Sequence, residues 1–131
     1  MLVRVADIMH KDPLPLIKPD AAMRDVILTM TSGGAGFAGV AGVVDAKGAL
    51  VGVITDGDVR RHLERDLLDR KARDVMTPNP KSVRPDMLAA EALAFMNAAK
   101  VTSLFVLDPK AKLKKPLGIL TVHDCLRAGI Q

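Results

Sequence analysis

Two short segments of this 131-residue chain carry the same polar residues at the same spacing. Each has a glycine, a threonine three positions later and an aspartate three positions after that: Gly52, Thr55 and Asp58, then Gly118, Thr121 and Asp124. The carboxylate could accept hydrogen bonds from both hydroxyls of a ribose, and amides at a helix start favour phosphate. The glycine lets the backbone pass close to a ligand or a neighbouring strand. The motif therefore indicates a site for a nucleotide-type ligand.

The same motif also has a purely structural interpretation. Asp56 and the threonine hydroxyls could cap the helices that follow, and Asp58 and Asp124 would then be solvated. Arg61 and Arg127 lie one helical turn beyond those aspartates, where they could meet phosphate or form salt bridges with the carboxylates. The motif alone leaves both alternatives open.

Other candidate chemistry is absent from the sequence. No base, nucleophile and oxyanion set can be assembled, so no catalytic residue is predicted. The three histidines have no Cys or His neighbour at metal-ligand spacing, and no metal is expected. The stretch 34–39 fits the dinucleotide fingerprint G-x-G-x-x-G, but a helix precedes it and a strand follows, which reverses the required order. It is interpreted as a crossover from helix to strand.

The repeated motif belongs to a longer internal repeat. At an offset of 66 residues the stretch 52–61 returns as 118–127, and at 67 the stretch 7–9 aligns with 74–76. A unit of this size usually buries its apolar face against its twin, so any site is expected twice. The predicted boundaries are residues 3–66 and 67–131.

Each repeat should contain two helices around a pair of strands. Apolar spacings of three and four residues predict amphipathic helices after Asp20 and Asp86, which are candidate N-caps. Four β-rich runs are predicted, at 40–44, 50–55, 103–107 and 117–121. Closing helices are predicted over 56–65 and 122–128, and a charged linker over 66–73.

Composition favours a soluble globular protein, with 49% apolar and 26% charged residues. No apolar run approaches the roughly 20 residues that cross a bilayer, and the start lacks a signal-peptide pattern, so a cytoplasmic location and no membrane partner are expected. The net charge is +4, but with no Trp or Tyr the chain offers few stacking platforms for bases. Nucleic acid is therefore not the expected partner.

The duplicated pattern resembles a tandem pair of CBS (cystathionine-β-synthase) domains from about Val5 to Ile130. The opening Asp-Ile/Val-Met and closing Gly-x-x-Thr-x-x-Asp motifs carry this resemblance. It implies an α+β fold of two pseudo-twofold-related β-α-β-β-α motifs packed as one CBS pair. The stretches 5–10, 55–61, 75–80 and 123–129 are, more narrowly, similar to the C-terminal half of bacterial arabinose-5-phosphate isomerases.

The resemblance implies two ligand clefts, each built from both repeats. One cleft would be lined by Thr55, Asp56, Asp58, Thr77, Val101 and Thr102. The other would be lined by His10, Gly39, Val40, Thr121, His123 and Asp124. Val40 and Val101 would contact the base, Asp58 and Asp124 the ribose, and Arg61 and Arg127 either phosphate or those aspartates.

The resemblance also implies a function. The chain would be the regulatory, ligand-sensing part of an arabinose-5-phosphate isomerase of Kdo and lipopolysaccharide biosynthesis, without the N-terminal sugar-isomerase domain that carries catalysis. Its CBS pairs would associate as a homodimer, and its ligand would be CMP-Kdo, by feedback logic, or AMP or ATP. Two alternatives stay open: a ligand-free scaffold that holds subunits together, and a free-standing nucleotide sensor for an unrelated partner.

Overall fold

Helices and short strands alternate through residues 2–32 and 39–131, which the computed structural model describes. The helices are α1 (Val5–Ile8), α2 (Met23–Ser32), α3 (Asp56–Arg61), α4 (Ala72–Val75), α5 (Ala89–Ala99) and α6 (Val122–Arg127). The strands are β1 (Leu16–Ile17), β2 (Val40–Val44), β3 (Leu50–Thr55), β4 (Thr77–Pro78), β5 (Ser82–Val83), β6 (Ser103–Val106) and β7 (Gly118–Thr121). The predicted α+β class is confirmed. Of the predicted crossover at 34–39, residues 34–38 lie outside the described residues.

One compact unit comprises Pro15–Pro80. Its sheet has the order β1-β2-β3-β4, with β1 parallel to β2 and the other pairs antiparallel. Apolar residues of α2 recur every three or four positions, so they share one face of the helix. That face is buried in the same core as residues of the sheet. The buried core of this unit contains Ile17, Met23, Val26, Met30, Ala41, Val43, Ile54, Leu67, Ala72 and Val75.

The other compact unit combines Met1–Leu14 with Lys81–Gln131. Its sheet has the order β5-β6-β7, with β5 parallel to β6 and β6 antiparallel to β7. An isolated antiparallel bridge adds His10 beside Ile119. The core of this unit contains Val5, Val83, Ala92, Leu93, Met96, Leu104, Val106, Leu120 and Cys125.

The opening segment of the chain therefore lies with the second sequence repeat. The Val5 amide donates to the Met87 carbonyl at 2.8 Å, and the Ala89 amide donates to the Val3 carbonyl at 2.8 Å. The boundaries 3–66 and 67–131 stay a prediction about the sequence repeats, whereas the compact units combine the segments differently.

Asp20 and Asp86 are not N-caps, contrary to the prediction. The N-cap of α5 is Leu88, and α2 begins three residues after Asp20. The first amides of these helices are satisfied by backbone carbonyls instead, because Met23 donates to Arg70 and Ala89 donates to Val3. The two aspartates form exposed ion pairs, with Arg73 and Arg84.

The predicted linker over 66–73 is ordered structure. It contains a single 3₁₀ turn at Leu67–Asp69 and the start of α4. Leu67 and Ala72 are buried in the core, so this stretch is held by apolar packing despite its charge. Among the helices of the described ranges, no helix is long and apolar enough to span a membrane.

Candidate functional site

The Thr–Asp spacing of each closing motif forms a helix cap. In α3, Thr55 Oγ1 accepts from the Asp58 amide at 3.4 Å, and Asp58 Oδ2 accepts from the Thr55 amide at 2.9 Å. In α6, Thr121 Oγ1 accepts from the Asp124 amide at 3.0 Å, and Asp124 Oδ2 accepts from the Thr121 amide at 3.0 Å. At both helix starts, the side chain of the threonine and that of the aspartate thus each accept from the backbone amide of the other residue. The caps are Thr55 and Thr121, and Asp56 is not a cap.

The second oxygen of each aspartate accepts from two further side chains. Asp58 Oδ1 lies 2.8 Å from Thr77 Oγ1 and 2.5 Å from Arg61 Nη2. We call Thr55, Asp56, Asp58, Arg61 and Thr77 the Asp58 cluster. Oδ2 of Asp58 fixes the start of α3, while Oδ1 joins α3 to β4 and pairs with Arg61 of the same helix.

The second repeat has the same arrangement with one different donor. Asp124 Oδ1 lies 2.7 Å from His10 Nε2 and 2.6 Å from Arg127 Nη2. A carboxylate only accepts hydrogen bonds, so His10 carries its proton on Nε2 in this contact. We call His10, Thr121, His123, Asp124 and Arg127 the Asp124 cluster. Arg61 and Arg127 therefore both form salt bridges with their aspartates, as one of the two alternatives predicted.

Both aspartates are buried, with 3% exposure for Asp58 and 4% for Asp124. Burial acts to raise the pKa of each carboxyl, but hydrogen bonds from threonine and from Arg61 or His10 outweigh it, and the pKa of each lies below its ordinary value. Both carboxylates are therefore ionised at neutral pH. The alternative in which Asp58 and Asp124 are solvated is wrong, because each carboxylate is buried and accepts hydrogen bonds at the start of its own helix.

His10 and Thr77 occupy equivalent positions in the two sheets. Thr77 pairs with Val53 and His10 pairs with Ile119, and these strand residues are equivalent in the repeat. The sequence alignment at an offset of 67 residues already places Met9 on Met76, so it also places His10 on Thr77. That signal could have identified them as equivalent donors before the structure.

Gly52 and Gly118 make room for the opening motifs. A Cβ on Gly52 would lie 2.5 Å from Met76 Sδ, and one on Gly118 would lie 2.6 Å from the His10 carbonyl oxygen and 2.7 Å from Met9 Sδ. The sequence offered two reasons for these glycines, close approach to a ligand or to a neighbouring strand. The structure shows the close approach of a neighbouring segment.

Three of the remaining predicted residues, Gly39, Val40 and Thr102, lie beside the helix starts of their own units. Val40 pairs with Thr55, and the Asp56 amide donates to the Gly39 carbonyl at 3.2 Å. In the second repeat the Val122 amide donates to the Thr102 carbonyl at 2.9 Å, while His123 is exposed on α6 and Val101 follows α5. Thus Gly39 and Val40 adjoin the Asp58 cluster and Thr102 adjoins the Asp124 cluster. The predicted grouping of these residues across the repeats stays a prediction.

Thiol and metal chemistry receive no support from the described residues. Cys125 is fully buried, and burial together with the neighbouring Asp124 charge raises the pKa of its thiol, which makes it a poor nucleophile. Across residues 2–32 and 39–131 there is no group of three His, Cys, Asp or Glu side chains that could hold a metal ion.

Comparison with known proteins decides the family. The sequence model of the CBS domain matches residues 5–65 and 72–130. The chain belongs to the CBS-domain family. Its resemblance to a tandem CBS pair, inferred from the repeated motifs, is thereby confirmed.

Solved CBS pairs share this fold. The CBS domain pair of protein MJ0100, in complex with 5′-methylthioadenosine and S-adenosyl-L-methionine, has a TM-score of 0.83 and 21% identity and covers 98% of this chain and 97% of its own. CBSX2 in complex with AMP has a TM-score of 0.80 and 26% identity over 97% of this chain and 96% of its own. The predicted CBS-pair fold is confirmed.

Curated relatives confirm the narrower likeness. Arabinose 5-phosphate isomerase KdsD of Pseudomonas aeruginosa is 38% identical over 99% of this CBS chain and 39% of its own length. The Escherichia coli enzyme is 39% identical over 99% of this chain and 38% of its own. The chain thus spans about two fifths of the length of these relatives.

Proposed function

We propose that this CBS pair is the regulatory, ligand-sensing part of an arabinose 5-phosphate isomerase of Kdo and lipopolysaccharide biosynthesis. The support is the identity of 38–39% to two such isomerases across 99% of the chain. Catalysis would reside in a sugar-isomerase domain N-terminal to the pair, because no residue of the pair forms a catalytic set. The pair would act in the cytoplasm as part of a homodimer.

The observation that carries the proposal is the duplicated carboxylate with two differently used oxygens. Oδ2 of Asp58 and of Asp124 is committed to the helix cap, whereas Oδ1 accepts from an arginine. The Arg61 and Arg127 side chains are 64% and 54% exposed, so each guanidinium can leave Oδ1 at little packing cost. A ribose hydroxyl is a hydrogen-bond donor that can take its place while the cap stays intact.

The displaced arginine has a second use in this proposal. Once a ribose hydroxyl holds Oδ1, the freed guanidinium can bind a phosphate of the same ligand, which it recognises with paired donors. The salt bridge and the phosphate contact, which the sequence offered as alternatives, then become two states of one residue. Val40 and Val101 are proposed to contact the base.

The proposed ligand is nucleotide-type. AMP is supported by the complex of CBSX2, at 26% identity. CMP-Kdo is supported by feedback logic, since the isomerase opens the route to that activated sugar, and ATP is the further candidate. Binding would regulate the isomerase only if the ligand favours one arrangement of the protein over another.

A thermal-shift screen tests this function. AMP, ATP, CMP and CMP-Kdo are each added to the chain, with inorganic phosphate as a control for phosphate alone. A true ligand at one hundred times its Kd should stabilise the fold by about 2.7 kcal/mol. The same ligand should lose its effect on a variant with both Arg61→Ala and Arg127→Ala if those residues bind phosphate. If no nucleotide shifts the Tm, the scaffold alternative replaces the sensor.

A further inference from the structure

The two clusters share one hydrogen-bond pattern but differ in charge. Where the first repeat has Thr77 on the Oδ1 atom of its aspartate, the second has His10. Where the first has Asp56 and Gly57 after its threonine, the second has Val122 and His123. One of these positions loses a negative charge in the second repeat, where Val122 replaces Asp56, and the other two gain a histidine.

The Asp58 cluster is acidic. It contains two carboxylates, Asp56 and Asp58, and one guanidinium, Arg61, which gives a net charge of −1. The Asp56 side chain is exposed, and its Oδ2 lies 2.7 Å from the position of a Cβ on Gly39. This second carboxylate, which has no counterpart in the other repeat, therefore lies over the backbone at the strand-to-helix corner.

The Asp124 cluster carries no net formal charge when its histidines are counted as neutral. The Asp124 carboxylate is balanced by the Arg127 guanidinium, and the imidazoles of His10 and His123 stand where the first repeat has Thr77 and Gly57. Gly57 would place a Cβ 3.2 Å from Arg61 Nη1, so the first repeat leaves space for its guanidinium where the second carries the His123 side chain.

We propose that the two clusters select ligands of different charge. The Asp124 cluster prefers a nucleoside phosphate, whose phosphate Arg127 binds, and the Asp58 cluster prefers a nucleoside without phosphate, so that the phosphate role of Arg61 proposed above applies only to a weaker-binding nucleotide there. This inference rests on the proposed function, in which both clusters bind a nucleotide-type ligand. Its physical basis is that the extra carboxylate of Asp56 repels a phosphate at close range, whereas the second repeat has the uncharged Val122 at the equivalent position.

A site-resolved NMR titration of the chain tests the inference, with adenosine and AMP as probes. Amides of Thr55 and Asp58 report on one cluster, and amides of Thr121 and Asp124 report on the other. AMP should saturate the Asp124 cluster at a lower concentration than the Asp58 cluster, and adenosine should show the reverse order. The preference for AMP should weaken at 1 M salt, where the Debye length falls to about 3 Å.

Two charge variants test whether the charge difference between the clusters causes their different ligand preferences. Asp56→Asn should tighten AMP binding at the Asp58 cluster by about threefold to tenfold and leave adenosine binding there unchanged. Val122→Asp, which installs the carboxylate of the other repeat, should weaken AMP binding at the Asp124 cluster by a similar factor. Asp25→Asn removes an equal charge from the exposed face of α2 and should change neither affinity.

The outcomes separate the inference from the function on which it rests. If neither probe shifts either set of amides, the proposed nucleotide site fails. If both probes bind at both clusters with equal affinity, or if Asp56→Asn changes AMP and adenosine binding alike, the sites bind nucleosides but the charge selection is wrong.

Discussion

At the scale of single residues, each buried aspartate serves two purposes at once. Oδ2 of Asp124 holds the start of α6, and Oδ1 accepts from His10, which lies 114 residues away in sequence. Asp58 does the same with Thr77, 19 residues away. The motif and its Thr–Asp cap could be predicted from local spacing. The repeat could match Thr77 with His10, but their direct contact with Oδ1 and the burial of the carboxylate could not be predicted, since they depend on strand pairing.

The lowered pKa of Asp124 predicts an acid-sensitive contribution to stability. Its folded-state pKa lies below the unfolded value of about 3.9, so the contribution is present above that pH and is lost as the pH falls through the folded-state pKa. Asp124→Asn should cost about 1–3 kcal/mol at pH 7, because the amide cannot accept all the same hydrogen bonds. Thermal melts from pH 7 to pH 3 should show a smaller loss of Tm for the variant than for the parent chain.

Asp25→Asn is the matched control for this measurement. Asp25 is exposed on α2 and belongs to neither cluster, so this variant should follow the parent chain at every pH. If Asp124→Asn and the parent chain lose Tm in parallel on acidification, the ionised carboxylate does not stabilise the fold in the way that its hydrogen bonds indicate.

At the scale of elements, the glycines of β3 and β7 set how closely the opening motifs pack. Gly118→Ala should destabilise the fold by about 1–3 kcal/mol, because the new methyl would meet the His10 carbonyl, which belongs to the backbone and cannot turn away. Gly52→Ala should cost less, since the nearest atom is the flexible Met76 sulfur. Chemical denaturation of the two variants measures both costs.

A second substitution in each variant sharpens this comparison. Met76→Ala should partly rescue Gly52→Ala by removing the nearest obstacle, whereas Met9→Ala should not rescue Gly118→Ala. Equal costs for the two glycine variants would show that the backbone at His10 yields as easily as a methionine side chain.

The ordered stretch after α3 offers a neighbouring pair of leucines for a packing test. Leu67 is 6% exposed and lies in a core, while Leu68 is 52% exposed. Leu67→Ala should therefore lower the free energy of unfolding by about 2–5 kcal/mol, and Leu68→Ala by about 0.5 kcal/mol or less. Urea denaturation of the two variants measures this difference. Similar values would mean that 66–73 behaves as the charged linker that its composition suggested.

The elements differ in how far the sequence could predict them. The strands 40–44 and 50–55 have the bounds that their β-rich runs predicted, because a Gly-containing turn separates them. The strands of two residues, β1, β4 and β5, have no pattern long enough to be recognised. The candidate caps Asp20 and Asp86 failed because a backbone carbonyl from elsewhere in the chain competes with any side-chain cap.

At the scale of the whole molecule, duplication predicted the fold, but not which segments fold together. The opening segment Met1–Leu14 forms a compact unit with Lys81–Gln131, and it brings Val5 into the core and His10 to Asp124. The repeat boundaries gave no sign of this, because a match between two copies does not say with which copy a segment packs; only the family resemblance grouped His10 with Asp124. The consequence is functional: His10, a donor to the second aspartate, comes from the first repeat.

The proposed sensor depends on the exchange of an arginine for the ribose of a nucleotide at Oδ1 of Asp58 and of Asp124. A crystal structure of the chain grown with AMP tests this exchange directly. We expect AMP at one or both clusters, with ribose hydroxyls within hydrogen-bond distance of Oδ1, the corresponding arginine turned away, and the Thr–Asp caps unchanged. AMP bound elsewhere, or no bound AMP, with both arginine–aspartate pairs intact would contradict it.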